Sequence, residues 1–309
     1  MSEARSRGAI EPPRIHPDAS HPHDEFFAPW REARAQRYGS AERPPRSRLP
    51  WRRAKKRRAV VTIVHNEAIF LPIWLRYYSR FFSADDIYVL DNDTTDGSTQ
   101  GPGFVRIPVP SDRVDHVWMA ETLAGFQHRL LERYDVVLVT DVDEIVAPLP
   151  EWGTLGAYID RLVEEFVNPL GYEVLHLPDR EPALDPGRPV LDQRGYWFAN
   201  DAYDKPMLAT VPMNWVPGLH KSDDGRQNYD PDLRLIHLHR MDYELCRARH
   251  SDRARRAWNN RDVDEGWAGY NRVDAGEEFE RWFLTDSGFE GEGIHIVCEP
   301  IPASWKGLV

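Results

Sequence analysis

The sequence predicts an α/β fold in which a central, mostly parallel sheet is flanked by helices. Short apolar runs of strand length alternate with longer segments whose apolar residues recur at helical spacing. The runs at 59–64, 86–90 and 135–140 are rich in β-branched residues, as expected for strands that are buried on both faces. A polar cluster follows each of these three runs. In open α/β sheets, ligands bind beyond the carboxyl ends of the strands.

The elements follow from these periodicities. A helix at 68–81 places Leu71, Trp74 and Tyr78 on one face. The first half of the chain is predicted to contain strands at 59–64, 86–90, 104–108 and 135–140 and helices at 68–81 and 118–133. After Pro150 the pattern loosens, and we predict helices at 155–167 and 241–259 and strands at 173–177, 208–212 and 233–239. Residues 260–309 have no assignable pattern.

The charge of the chain is divided unevenly. The net charge is −11, but residues 1–58 hold 15 basic and 7 acidic residues. This segment is rich in proline and is predicted to be a disordered or loosely attached tail. Its basic run 51–58 fits either a solvated tail or contact with an anionic membrane surface. The acidic remainder argues against a nucleic-acid partner.

Three features indicate location. No apolar run is long enough for a spanning helix, and the first residues lack the apolar core of a secretory signal. Two cysteines, Cys246 and Cys298, give no disulfide framework and fit a reducing compartment. We therefore expect a cytoplasmic protein, peripheral at the inner face of the membrane if segment 51–58 binds lipid.

A paired carboxylate motif ends the strand at 135–140. Asp141 and Asp143 are two residues apart, so an extended chain directs both to the same side. Two carboxylates at one point repel each other unless a cation lies between them, and Mn²⁺ or Mg²⁺ suits oxygen ligands. Such an ion would also bridge an acidic protein to a phosphate-bearing ligand. The alternative is a pair of acidic residues that caps the turn.

A second polar turn follows the strand at 86–90. Asp91 is placed to accept hydrogen bonds from a nucleobase or from ribose hydroxyls. The alternative is an Asx-type turn, since clusters of Asn, Asp, Thr and Gly form such turns without a functional role.

Three motifs together resemble a glycosyltransferase of the family 2-like, GT-A type. They are Val61-Thr62-Ile63-Val64-His65-Asn66-Glu67, then Val89-Leu90-Asp91-Asn92-Asp93-Thr94-Thr95-Asp96-Gly97-Ser98, then Thr140-Asp141-Val142-Asp143-Glu144. The resemblance is specific over residues 59–147. It implies a GT-A-like domain at 59–260, with a nucleotide-binding half at 59–147, an acceptor half at 148–260, and a C-terminal extension at 261–309.

The resemblance also implies roles for donor-binding residues. Asp91 matches the position that contacts the base or ribose, and the nucleotide pocket is lined by His65, Asn66 and Glu67. Asp141 and Asp143 match the D-x-D motif that holds the metal and the nucleotide sugar. Candidates to neutralise the diphosphate are Lys205, Lys221 and Arg240.

Such enzymes commonly add a histidine metal ligand from the C-terminal half. His220 is favoured because it follows an apparent strand and opens a polar loop, and His237 and His239 share one face of a strand. The family's usual E-D pair, which supplies the general base, is absent, so Asp201 is the candidate base.

The leading hypothesis is a metal-dependent transferase. It would move a sugar from a nucleoside-diphosphate donor to a hydroxyl of a glycan or lipid-linked acceptor, in glycan or cell-envelope polysaccharide synthesis. A haloacid-dehalogenase-type phosphatase with Asp141 as nucleophile is one alternative. A non-catalytic nucleotide- or glycan-binding module is the other, since the E-D pair is missing.

Overall fold

The protein is described from a computed structural model. The structure describes residues 13–16, 24–38, 55–273, 276–286 and 296–309. The strands in this part of the chain are β1 (Arg14–Ile15), β2 (Arg58–Val64), β3 (Ile87–Asp91), β4 (Val105–Pro108), β5 (Val136–Val139), β6 (Glu144–Pro148), β7 (Phe166–Val174), β8 (Tyr196–Ala199), β9 (Leu208–Ala209), β10 (Tyr229–His237) and β11 (Val297–Pro300). The helices are α1 (Asp24–Tyr38), α2 (Phe70–Tyr78), α3 (His116–Leu131), α4 (Leu155–Arg161), α5 (Val190–Gln193), α6 (Tyr243–Arg255), α7 (Asn260–Asp264) and α8 (Gly276–Thr285).

The first half of the chain forms a parallel sheet. Its strand order is β5-β2-β3-β4, and every neighbouring pair in it is parallel. Strand β2 ends at Val64, which lies opposite Asp91, the last residue of β3. The carboxyl ends of β2, β3 and β5 therefore meet at one edge. This edge collects the segments that begin at His65, Asn92 and Thr140.

The whole sheet is mixed, so the prediction of a mostly parallel sheet was wrong. Strand β9 joins the two halves and pairs antiparallel with both β5 and β7. Antiparallel pairs also join β7 to β8, β8 to β11, and β10 to β6, whereas β10 is parallel to β7. Parallel pairing needs a crossover of about a dozen residues or more, and the second half rarely supplies a helix of that length between strands.

The predicted helix at 155–167 is too long. Helix α4 ends at Arg161, and strand β7 begins at Phe166. Phe166 and Val167 begin a strand whose nine residues are all buried, and so short an apolar stretch fits either a strand or a helix by periodicity. The pairing with β9 and β10 selects the strand.

Both ends of the chain contribute elements to the fold. In the C-terminal part, β11 pairs with β8, and Phe279 and Phe283 of α8 are buried. In the N-terminal part, Phe27 of α1 is buried and its ring lies 5.2 Å from the ring of Tyr229. The division of the chain at residues 58, 147 and 260 stays a prediction.

Only part of the basic run 51–58 can be located, because residues 51–54 lie outside the described residues. At its end, Arg58 forms a 2.6 Å ion pair with Asp160 of α4. Lys56 donates from its backbone N–H to the same carboxylate at 3.1 Å. These two residues are thus held against α4.

Aromatic side chains of α2 fix the turn between β5 and β6. Trp74 is fully buried, and its Nε1–H donates to Thr140 Oγ1 at 2.9 Å. The hydroxyl of Tyr78 donates to the carbonyl of Glu144 at 3.1 Å and accepts from the N–H of Val146 at 2.9 Å. The segment 140–146, which carries the paired carboxylates, is therefore anchored to the core.

Gly171 tests the packing behind the site. A Cβ at this position would clash with the Asn200 carbonyl oxygen and lie 2.7 Å from Tyr203 Cβ, and neither atom belongs to a flexible chain end. We expect Gly171→Ala to lower the free energy of unfolding by about 3 kcal/mol, since overpacking displaces backbone. Urea unfolding measures this. Gly101→Ala is the control, because its Cβ would meet open space. Equal stability of the two variants would contradict the packing described.

Candidate functional site

The loops after β2 and β3 are tied together by side chains. Asn66 has a positive φ of 55°, which directs its Oδ1 to accept from the N–H groups of Thr95 and Asp96 at 2.8 and 3.2 Å. Asparagine tolerates this left-handed conformation better than most residues. His65 Nδ1–H donates to the Asn92 carbonyl at 2.6 Å. The two loops thus form one surface at the carboxyl edge of the sheet.

Asp91 holds the second loop in shape. Its carboxylate accepts from Thr94 N–H and Thr99 Oγ1 at 2.9 Å each, and from Arg106 at 2.5 Å. Burial alone would raise the pKa of this carboxyl, but the hydrogen bonds lower it further than burial raises it. Asp91 is therefore ionised and engaged by the protein itself, and its contact with a base or ribose stays a prediction.

Asp141 forms an ion pair with a buried lysine. Lys205 Nζ lies 2.8 Å from Asp141 Oδ2 and 2.5 Å from Glu144 Oε1. Burial opposes the charge of Lys205, yet the two carboxylates outweigh it and raise the pKa of the ammonium. Burial also raises the pKa of Glu144 to about 7. The charge of Lys205 is thus already neutralised within the protein.

Asp143 meets two histidines from β10 and the residues just after it. Its Oδ2 lies 3.6 Å from His237 Nε2 and 3.2 Å from His239 Nδ1. All three side chains are buried, and their ligand atoms lie within 4.8 Å of one another. We call this cluster the Asp143 triad. It unites two of the predicted metal ligands, Asp143 and His237, with His239, which the sequence analysis ranked below His220.

Hydrogen bonds behind the triad orient both imidazoles. Glu173 Oε1 accepts from His237 Nδ1–H at 2.9 Å, which turns Nε2 toward Asp143. His250 Nδ1–H donates to the Val273 carbonyl at 3.1 Å, so its Nε2 accepts the Nε2–H of His239 at 2.7 Å. His239 Nδ1 is therefore an unprotonated nitrogen aimed at Asp143, and burial lowers the pKa of this imidazole well below its usual range.

The donor set of the triad fits a divalent transition metal. Ligand bonds of about 2.0–2.2 Å place neighbouring ligand atoms about 3–3.5 Å apart. The 3.2 Å between Asp143 and His239 lies in this range, and the 3.6 Å between Asp143 and His237 is slightly longer. Metal-bound histidines almost always donate their other N–H to a carboxylate or carbonyl, as Glu173 provides for His237. Two imidazole nitrogens and one carboxylate suit Mn²⁺ better than Mg²⁺, which prefers oxygen ligands.

A second group of ligand atoms lies behind the triad and shares His239 with it. Its other members are Cys246 and His250, both buried. Burial raises the pKa of the Cys246 thiol, so the sulfur is protonated. The group serves here to hold His239, through the His239–His250 hydrogen bond.

His220, Lys221 and Asp201 lie outside the triad and in different settings. His220 Nδ1–H donates to the Ala202 carbonyl, and burial, then the charge of Lys205, lowers its pKa to about 4. Lys221 is exposed on the loop between Trp215 and Ser222. Asp201 begins a short 3-10 turn, Asp201–Tyr203, and is exposed.

Arg240 is engaged at the end of α8. Its Nη1 donates to the carbonyls of Trp282, Phe283 and Asp286 at 3.2, 3.1 and 2.8 Å, and its side chain is buried. These carbonyls lie at a helix C-terminus, which favours a cation. The predicted contact of Arg240 with a diphosphate is not supported by this placement.

Sequence reasoning missed three arginines on one face of α6 and the residue after it. Arg249 donates to Glu67 through Nε and Nη2 at 3.1 and 2.6 Å, and through Nη1 to Asp143. Arg253 lies 3.6 Å from Glu67, and Arg256 donates to Asn92 Oδ1 at 3.1 Å. The signal was their spacing of four and three residues within a segment already predicted to be a basic helix.

Comparisons with known proteins were limited. No protein-family model matches the chain, and no curated protein matches it. Among solved structures, the chain is similar to a mannosyltransferase from Pyrobaculum calidifontis in complex with GDP-Man and Mn²⁺. The two are 17% identical, the match covers 84% of this chain and 79% of that one, and the TM-score is 0.37.

Among the described residues, no helix has the length and apolar character needed to cross a membrane.

The buried carboxyl of Asp204, next to Lys205 in the chain, is expected to make the stability of the protein depend on pH. Burial raises its pKa to about 8, while it accepts a 2.6 Å hydrogen bond from Gly171 N–H. Because the folded-state pKa lies above the unfolded value, this group lowers the free energy of unfolding as pH rises from about 4 to about 8. We expect Asp204→Asn, whose Oδ1 still accepts from Gly171, to remove this loss. Its gain over wild type is about 5 kcal/mol at most at pH 8.5, since each unit of pKa difference is worth about 1.4 kcal/mol, and is much smaller at pH 5.

Urea unfolding at the two pH values measures this difference. Asp223→Asn, at an exposed aspartate, is the matched control and should leave the pH dependence unchanged. A pH-independent effect of Asp204→Asn would show that its carboxyl is ionised throughout.

Proposed function

We propose that this protein is a metal-dependent glycosyltransferase of the GT-A type. It moves a sugar from a nucleoside-diphosphate donor to a hydroxyl of a glycan or lipid-linked acceptor. The observation that carries the proposal is the Asp143 triad at the carboxyl edge of β2, β3 and β5, where the loops at 65–67 and 92–97 also meet. A cation site beside two polar loops at this edge fits a nucleotide diphosphate.

Different residues of the site would bind the nucleoside, the diphosphate and the metal ion. The joined loops that contain His65, Asn66 and Asp91 would hold the nucleoside. Arg253 and Arg256 face the same loops and would bind the diphosphate through charge-assisted hydrogen bonds. A divalent cation held by the triad would offset the negative charge that develops on the leaving diphosphate. Lys205 keeps Asp141 and Glu144 in place rather than meeting the phosphates, which replaces its predicted donor contact.

The acceptor would approach from the turn Asp201–Tyr203. Tyr203 stacks on His237 with ring centroids 3.9 Å apart, so this turn packs directly against the triad. Asp201 is exposed at the start of the turn, where its carboxylate would take the proton of the acceptor hydroxyl. The cytoplasmic location, the peripheral membrane contact and a role in glycan or cell-envelope polysaccharide synthesis remain proposals made from the sequence.

The first test is transfer or donor hydrolysis with and without EDTA. We expect EDTA to abolish turnover and Mn²⁺ to restore it. Asp143→Asn should lower the rate at least about 100-fold, since even residues that only orient a metal ligand account for about 10–100-fold. Asp223→Asn is the control for loss of one aspartate charge. Tight nucleotide binding without turnover of any donor would instead support a binding module.

The second test concerns the diphosphate. The ligand for this test is the nucleoside diphosphate that, together with Mn²⁺, raises the unfolding temperature of the protein most. We expect Arg256→Gln to weaken its binding about 10-fold or more, because a hydrogen bond between charged groups contributes about 1.5–3 kcal/mol. Calorimetry measures both this ligand and the free nucleoside, whose affinity should not change. Arg255→Gln, at the neighbouring last residue of α6 and hydrogen-bonded to Ser251, is the control. Equal weakening by both variants would point to net charge alone.

A further inference from the structure

The guanidinium of Arg249 lies inside the Asp143 triad. Its Nη1 donates to Asp143 Oδ2 and, at 2.9 Å, to His239 Nδ1. On its other side, Nε and Nη2 donate to Glu67. The guanidinium carbon also lies 4.2 Å from the centre of the Phe70 ring. One buried arginine therefore joins the loop after β2 to the triad.

The hydrogen bond from His239 to His250 explains why a cation is needed between His239 and Asp143. His239 donates its Nε2–H to His250, so its Nδ1 offers a lone pair toward the Asp143 carboxylate at 3.2 Å. Two acceptors at this distance repel each other unless a donor or a cation stands between them. Arg249 meets this requirement, and its two short contacts go to the same two atoms that would ligate a metal.

Arg249 and a metal ion cannot occupy this point together. An ion bonded to Asp143 Oδ2 and His239 Nδ1 at about 2.1 Å would lie within van der Waals distance of Nη1. Both groups are cations, and the surrounding side chains are buried, so their repulsion is weakly screened. Glu67 gives the guanidinium a second carboxylate to hold when it leaves Asp143.

We propose that Arg249 is an internal competitor of the divalent cation. In the metal-free protein it neutralises Asp143 and donates a hydrogen bond to His239 Nδ1, and metal entry displaces its Nη1 while Glu67 retains the rest of the guanidinium. The inference rests on the metal site of the proposed function. Its consequence is that metal affinity is set partly by how strongly Arg249 holds the triad, and that the metal-free fold leaves no buried carboxylate of the triad unpaired.

The test is to measure the binding of Mn²⁺ in the absence of donor and acceptor. Calorimetry, or the electron paramagnetic resonance signal of free Mn²⁺, gives the Kd. We expect Arg249→Gln to lower the Kd for Mn²⁺ at least about 10-fold, because the competing cation is removed. Arg255→Gln removes the same charge from the same helix without touching the triad and should change the Kd less than about 2-fold. Equal tightening in both variants, or unchanged or weaker binding to Arg249→Gln, overturns the proposal.

A second variant controls for folding, because Arg249→Gln removes the guanidinium that Glu67 and Asp143 share. Arg249→Lys keeps the positive charge, but a single ammonium cannot donate to Asp143 and Glu67 at once as the planar guanidinium does. We expect this variant to fold without metal, to bind Mn²⁺ with intermediate affinity and to show a larger thermal shift with Mn²⁺ than wild type. A wild-type shift and affinity for Arg249→Lys overturn the competition.

Failure of this inference is separable from failure of the proposed function. If transfer requires Mn²⁺ but neither Arg249 variant tightens its binding, only the competition is wrong. If wild type and both variants bind no Mn²⁺ and transfer is insensitive to EDTA, both the competition and the metal dependence are wrong.

Discussion

The structure depends on the neutralisation of carboxylates that converge where β2 and β5 end. Glu67, Asp143 and Glu144 are buried, and Asp141 stands beside them. An unpaired buried carboxylate is costly, so this arrangement requires cations from elsewhere in the chain. Lys205 and Arg249 supply them, from two segments distant in sequence. The packing of β9 and α6 against the parallel half of the sheet is thereby tied to the site itself.

The two cations have different relations to the site. Lys205 is surrounded by Asp141 and Glu144 and acts as a fixed part of the β5–β6 turn. Arg249 holds Asp143 from a side that also presents the Nδ1 lone pair of His239 and the Nε2 atom of His237. The position between Asp141 and Glu144 is therefore occupied by Lys205. The position beside Asp143 is occupied by Arg249, which can bind Glu67 instead when a divalent cation enters. This difference makes Asp143, rather than Asp141, the residue around which metal chemistry is expected.

The parallel half of the fold could be predicted because each of its strands is apolar and is followed by a helix or a polar turn. In the second half the predicted strands overlap β7, β9 and β10, but their bounds and directions could not be predicted, since they depend on pairing. At the site, Asp91, Asp141 and Asp143 stand out from the sequence because Asp91 ends the buried strand β3 and the other two follow the buried strand β5 within four residues. Arg249 did not, because a basic helix in an acidic protein is ordinarily a solvated surface.

The sequence by itself determined the strands β2, β3 and β5 and the polar residues at their carboxyl ends, because local periodicity and the order of residues suffice for that. It also singled out His237 and His239 together, although β10 ends at His237 and His239 follows the strand. Only the tertiary structure decided which of these side chains share a point. The choice of His239 over His220 and the pairing of Lys205 with Asp141 both result from contacts between segments more than sixty residues apart, as does the placement of Arg249 on Asp143. Sequence spacing carries no information about such contacts, because they form only when β9, β10 and α6 pack against the sheet.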